Sequence, residues 1–184
     1  MEWVAAISGL INVYLLTKET IWSWPFGVFN VVLYGFIFYH SKLYSDVILQ
    51  TFFTILNIYG WYKWTTKTTE NHVLKITRMN GRQIWMTMLI IPIVFSAWGY
   101  FIGNTTDAAY PYADSFILIS SLIAQYLIAI KKIENWILWI LVDLVAITVY
   151  FLKNLYVTSA LYGVYMMLCV MGFVEWKKKL ISIQ

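Results

Sequence analysis

Charged residues are scarce in this sequence: 13 Lys and Arg and nine Asp and Glu among 184 positions, or 12%, where soluble domains carry roughly a quarter. Hydrophobic residues make up 61% and aromatics 19%, more apolar surface than a soluble fold can bury, so the chain reads as an integral membrane protein whose main partner is the lipid bilayer. The one cysteine, Cys169, excludes an intramolecular disulfide and says little about redox compartment. There are two histidines, His40 and His72, both in predicted loops, and no Gly-rich phosphate loop, metal-ligand cluster or nucleophile elbow. Those absences argue against a hydrolase or kinase, and we expect no catalytic residues, metal or cofactor. Met1-Glu2-Trp3 lacks a basic region and cleavage site, so the first apolar run is read as a mature helix. The net charge of +4 gathers at the ends of apolar runs, not along one face, which speaks against nucleic acid as a partner.

Apolar runs predict helices at about 3–17, 22–39, 44–64, 83–102, 112–130, 135–152 and 155–176, with Pro25 tolerated in the first turn of the second. Residues 65–82 are polar and basic, and 103–111 form a turn-rich loop. Sliding the chain along itself by 112 residues aligns Trp24 with Trp136, Leu43-Tyr44 with Leu155-Tyr156, Gly60 with Gly172 and Trp64 with Trp176. Residues 7–64 then match 119–176 at 14 of 58 positions without a gap, which identifies an internal repeat.

The predicted fold is all-α and integral to the membrane: seven transmembrane helices as two parallel three-helix repeats joined by a linking helix (3+1+3). Residues 1–64 form the first repeat, 65–83 a cytoplasmic linker, 84–103 the linking helix, 104–176 a loop and the second repeat, and 177–184 a cytoplasmic tail. An odd intervening span is what makes the two units parallel. Placing the N-terminus outside and the C-terminus inside puts 11 of the 13 basic residues in the cytoplasm and only Lys42 and Lys153 outside. The linker is expected to be a solvated connection.

Polar and aromatic side chains at membrane depth are the candidates for a binding site. On helix 3, Gln50, Thr54, Asn57 and Trp61 recur along one face, which Asp46 extends outward. The repeat equivalent on helix 7 reads Tyr162, Met166, Cys169 and Phe173. Helix 2 offers Asn30, Tyr34 and Phe38; helix 6 offers Trp139, Asp143, Ala146 and Tyr150; Gln125 and Asn12 are the polar residues central to helices 5 and 1. Asn12, Asn30 and Gln125 read equally well as interhelical hydrogen-bond glue. Asp143, ten residues before Lys153, cannot easily snorkel and is read as a buried carboxylate, whereas Asp46 is read equally as solvated near an interface. Trp3, Trp22, Trp24, Trp64, Trp136 and Trp176 stand at span ends, where an aromatic belt is the expectation. Aromatic walls edged with Asn and Gln suit a flat heteroaromatic ring with a sugar-like or alcohol tail, and aromatic faces attract a positively charged ring.

The strings Trp24-Pro-Phe-Gly with Asn30 and Tyr34, Leu43-Tyr44-Ser-Asp46, Asn57 and Gly60-Trp-Tyr-Lys-Trp64 resemble the PnuC family of vitamin transporters. So do Tyr110-Pro-Tyr112, Ala124-Gln125-Tyr126, Glu134-Asn-Trp-Ile-Leu-Trp139, Asp143, Leu155-Tyr156 and Gly172 to Trp176. The resemblance implies uptake of nicotinamide riboside or thiamine, both small cationic heteroaromatic molecules, through the bacterial inner membrane. It further implies facilitated diffusion, with a cytoplasmic kinase trapping the substrate, and a fold similar to the SWEET sugar transporters with the site between the two bundles. The site expected is Asn57, Trp61, Gln50, Asn30, Tyr34, Gln125, Trp139, Asp143, Tyr150 and Tyr162. Cys169 and Phe173, in place of repeated Asn and Trp, make that site asymmetric. A proton-coupled symporter using Asp143 or Asp46, a non-transporting scaffold and a homo-oligomer all stay open.

Overall fold

The computed structural model describes residues 2–40, 42, 44–69 and 74–182. Leu43 of the repeat match, His72 of the linker and residues 183–184 lie outside the described residues, as do the side chains of Trp3 and Tyr44. Seven α-helices make up the described chain: α1 (Glu2–Thr17), α2 (Ser23–His40), α3 (Tyr44–Thr69), α4 (Gly81–Thr105), α5 (Pro111–Ala129), α6 (Glu134–Leu152) and α7 (Tyr156–Ser182). By length and composition α4 to α7 can each cross a membrane, and Val4–Thr17 is a shorter apolar helix. The polar Ser, Gln, Asn, Thr and Lys residues of α3 make it the least apolar of the seven.

Local chemistry sets the boundaries. Asn80 caps α4 in a reciprocal box: its side chain accepts from the Gln83 backbone N–H at 2.8 Å, while the Gln83 side chain accepts from the Asn80 N–H at 3.0 Å. Pro111 opens α5, where a missing N–H costs nothing. α3 and α7 run past their expected ends to Thr69 and Ser182 because neither segment meets a glycine or proline, and the Lys177-Lys-Lys-Leu180 run favours helix.

α1, α2, α3, α5, α6 and α7 pack in that order into a closed ring, α7 returning to α1, while α4 lies outside against α5. Among the described residues, four non-glycine residues in the turns between helices have a left-handed backbone: Glu19 and Lys131 at φ 56° and 53°, and Lys42 and Asn154 at φ 60° and 59°. The members of each pair are 112 residues apart, so the two triple-helix segments turn their corners alike.

The tryptophans require a correction. Trp24, Trp64, Trp136 and Trp176, expected in an interfacial belt, are instead part of the buried core, at 0%, 3%, 1% and 0% exposure. Trp24 meets Trp64 edge-on at 5.2 Å and Trp136 meets Trp176 edge-on at 5.4 Å, with Trp64 and Trp176 joining the pairs at 6.4 Å. Each pair needs a glycine: a methyl on Gly60 would overlap the Trp24 ring, and one on Gly172 the Trp136 ring. Trp64 donates its indole N–H to the Ala129 carbonyl and Trp176 to the Leu16 carbonyl, so each caps a helix end in the other half of the ring. Trp22, by contrast, is 65% exposed.

The linker is also not simply solvated. Thr77 pairs with the turn between α5 and α6, donating its N–H to the Lys131 carbonyl and accepting from the Ile133 N–H. Ile76 and Met79 are buried, and Glu134 accepts from the Met79 N–H at 3.0 Å. The apolar side chains spaced along Leu74, Ile76 and Met79 drive this docking, a pattern the charge of the segment masks.

Candidate functional site

Two groups of polar side chains lie among the helices of the ring and approach each other at Gly9. The first consists of amides. Gln125 on α5 points its side-chain N–H at the Asn57 oxygen on α3, 3.4 Å away, and Asn57 donates to the Phe53 carbonyl at 2.8 Å. Gly27 on α2 makes room for this: a methyl there would collide with the Asn57 oxygen and lie 3.3 Å from the Asn12 amide nitrogen. The Asn12 oxygen is buried without a hydrogen-bond partner among the described residues. Asn30 donates to the Ala5 carbonyl at 2.6 Å and to Ser8 at 3.3 Å, binding α2 to α1.

The second group is a carboxylate among tyrosines. Asp143 on α6 is 2% exposed, and its partner is the Cys169 thiol on α7, 3.5 Å from one carboxylate oxygen. None of the described basic residues forms an ion pair with it. Tyr150 stacks on Tyr162 at 5.1 Å, and Tyr162 meets Tyr165 at 5.9 Å. Both Tyr162 and Tyr165 lie within electrostatic reach of Asp143, and Tyr165 also of Tyr34 on α2. The groups join at Gly9, where an added methyl would sit 2.5 Å from the Tyr165 oxygen and 3.1 Å from the Asn30 amide.

Of the ten expected site residues, seven belong to this centre: Asn30, Tyr34, Asn57, Gln125, Asp143, Tyr150 and Tyr162. Three stand apart. Trp61 is 41% exposed, one turn beyond Asn57 on α3. Gln50 lines an open groove of about 260 Å³ between α2 and α3, with Gly35, Thr51 and Thr54. Trp139 packs into the apolar cores at the Trp-rich end. Asp46 is half-buried in the first turn of α3. Tyr165 was missed, although with Tyr162 and Cys169 it falls at i, i+3 and i+7 on one helical stripe.

Such a centre, an uncompensated carboxylate and amide groups enclosed by apolar helices, can bind a cation carrying hydrogen-bonding groups. The apolar helices and the family match define a multi-pass membrane transporter, not an enzyme. The chain belongs to the family described as nicotinamide mononucleotide transporter, which matches residues 1–178. It is 30% identical over 201 positions to the nicotinamide riboside transporter PnuC of Escherichia coli K12, covering 96% of this chain and 84% of that one. It is 26% identical over 180 positions to the riboflavin/roseoflavin transporter RibM of Streptomyces davaonensis, covering 95% and 83%. A crystal structure of the vitamin B3 transporter PnuC shares the fold, with a TM-score of 0.73 at 24% identity over 97% of this chain and 81% of that one.

Proposed function

We propose that this protein carries nicotinamide riboside into the bacterial cytoplasm by facilitated diffusion. The observation behind this reading is Asp143, a buried carboxylate whose neighbours are a thiol and tyrosine rings in place of a cation. The riboside brings what the centre lacks: a pyridinium charge for Asp143, a flat ring for the tyrosine faces, and a carboxamide and ribose hydroxyls for Asn57, Gln125 and Asn12. Its positive ring is attracted both by the carboxylate and by the aromatic quadrupoles.

In this reading the two three-helix units are parallel repeats, α1–α3 and α5–α7, linked by α4, and the site lies at their interface. Matching left-handed turns and matching Trp–Gly pairs 112 residues apart support that arrangement. The units rock about the fixed site to alternate its access. The lysine-rich end, with Lys177 to Lys179, faces the cytoplasm, where a kinase phosphorylates the riboside and so prevents its return. Thiamine, also cationic and heteroaromatic, is the second candidate substrate.

Proteoliposomes containing the purified protein and no ion gradient should take up labelled riboside to equilibrium and support counterflow. Failure with both riboside and thiamine would overturn the proposal. A proton-coupled mechanism at Asp143 predicts accumulation above equilibrium when an acid-outside gradient is imposed; facilitated diffusion predicts none.

A further inference from the structure

Among the described residues, ion pairs are unevenly distributed over the ring. Lys18 with Glu175, Lys131 with Glu19 and Lys179 with Glu19 all join the first half to the second, and all lie at the lysine-rich end. At the opposite end, Lys153 with Asp114 lies within the second half. We propose that Glu19, Lys131 and Lys179 form the latch of an inner gate, and that this structure has that gate closed. The inference builds on the alternating-access reading above and adds its locking element.

Glu19 accepts from Lys131 at 2.7 Å and from Lys179 at 2.8 Å, one carboxylate oxygen to each. Glu19 and Lys131 occupy equivalent positions in the two triple-helix segments, 112 residues apart, and meet at the seam between them. Both hold the left-handed conformation that non-glycine residues rarely adopt and that persists where surroundings impose it. Lys131 also sits over the Trp64 ring at 4.4 Å, so the ionic group rests on the tryptophan core. That core is itself closed across the seam by the indole bonds of Trp64 to Ala129 and Trp176 to Leu16.

The same end carries the signs of an arrangement that must come apart. Ser23 Oγ, Asn135 Oδ1 and the indole nitrogens of Trp24 and Trp136 are buried there without hydrogen-bond partners among the described residues. These too are equivalent pairs, 23 with 135 and 24 with 136. A permanent core rarely tolerates four such atoms, whereas a gate exposes them to water each time it opens. The latch and the indole bonds hold the closed state; hydration of the buried atoms favours the open one.

The test uses the full chain with Ser23→Cys, reacted in inside-out vesicles with a membrane-impermeant maleimide, with background from Cys169 subtracted using the parent. Glu19→Gln and Lys131→Gln should each raise the labelling rate at position 23 about fivefold or more, and Lys153→Gln should leave it unchanged. The exchange Glu19→Lys with Lys131→Glu should bring the rate back towards the parent, incompletely because Lys179 then faces a lysine. Ser159→Cys, at a buried position near the opposite end and labelled with the same reagent in right-side-out vesicles, reports general loosening. Unchanged rates at position 23, a parallel rise at position 159, or an exchange variant no better than the single ones would each overturn the latch. Uptake measured on the same preparations separates the two readings: a parent that transports no riboside defeats the transport proposal while leaving the labelling result intact.

Discussion

At the scale of single residues, Asp143 is the side chain on which the substrate proposal depends. Asp143→Asn keeps the shape and removes the charge, so riboside binding should weaken at least about tenfold, ~1.4 kcal/mol, in calorimetry on purified protein. The uncharged dihydro form of the riboside should bind parent and variant alike; an equal loss for both forms would mean that Asp143 acts through packing. Asn57 and Trp61, four residues apart, form a second comparison. Asn57 is 3% exposed and touches Gln125, while Trp61 is 41% exposed. Asn57→Ala should impair binding severalfold, and Trp61→Ala should change it by less than about twofold, since it truncates a surface side chain. A larger loss at Trp61 would favour the sequence-based expectation over the geometry. The amide and tyrosine residues were legible because polar groups at membrane depth stand out in an apolar sequence. Trp61 and Gln50 share the helical face of Asn57, but periodicity alone cannot say how far along that face a neighbouring helix reaches.

Among the elements, α2, α3, α6 and α7 carry the Trp–Gly pairs that set helix spacing at the lysine-rich end. Gly60→Ala and Gly172→Ala each force a methyl into an indole, and overpacking of this kind costs about 1–3 kcal/mol. Denaturation in detergent should show similar losses for both variants, because the two pairs have nearly the same edge-on geometry. A loss confined to one glycine would mean that the halves differ in packing more than their backbones do. Helix number and order were readable from hydropathy, and most ends fell within a few residues. The burial of the four tryptophans was not, because an indole at a span end suits a lipid interface and a glycine notch equally well. Only the pairing of Trp24 with Gly60 across two helices decides between them. The docked linker was hidden in the same way, by Lys75 and Arg78 alternating with the buried Ile76 and Met79.

For the molecule as a whole, the Glu19 ion pairs link stability to pH. Burial pushes the Glu19 carboxyl up, but hydrogen bonds and charge attraction from Lys131 and Lys179 outweigh it, leaving the group below its ordinary value of 4.5. A carboxylate with a lowered folded pKa stabilises the fold above its unfolded pKa, and that contribution fades as pH falls through the folded value. Thermal unfolding should therefore lose stability on acidification below the ordinary carboxylate range, and Glu19→Gln should flatten that part of the profile. An identical acid profile in the variant would show that other carboxylates dominate. The groups facing Glu19 are cations from the α5–α6 turn and from α7, so the effect joins the two halves of the ring.

The opposite signs at positions 19 and 131 also bear on how such a chain can be assembled. In the repeat arrangement proposed above, two copies of the first half would set Glu19 against Glu19, and two copies of the second would oppose Lys131 to itself. Each half is thus marked against self-association and suited to its counterpart, as complementary subunits are. Separately expressed halves, 1–80 and 81–184, should purify as a mixed pair and not as two homodimers. The chain is in this respect like a covalently joined heterodimer, with Glu19 marking one half and the lysines that pair with it, Lys131 and Lys179, marking the other.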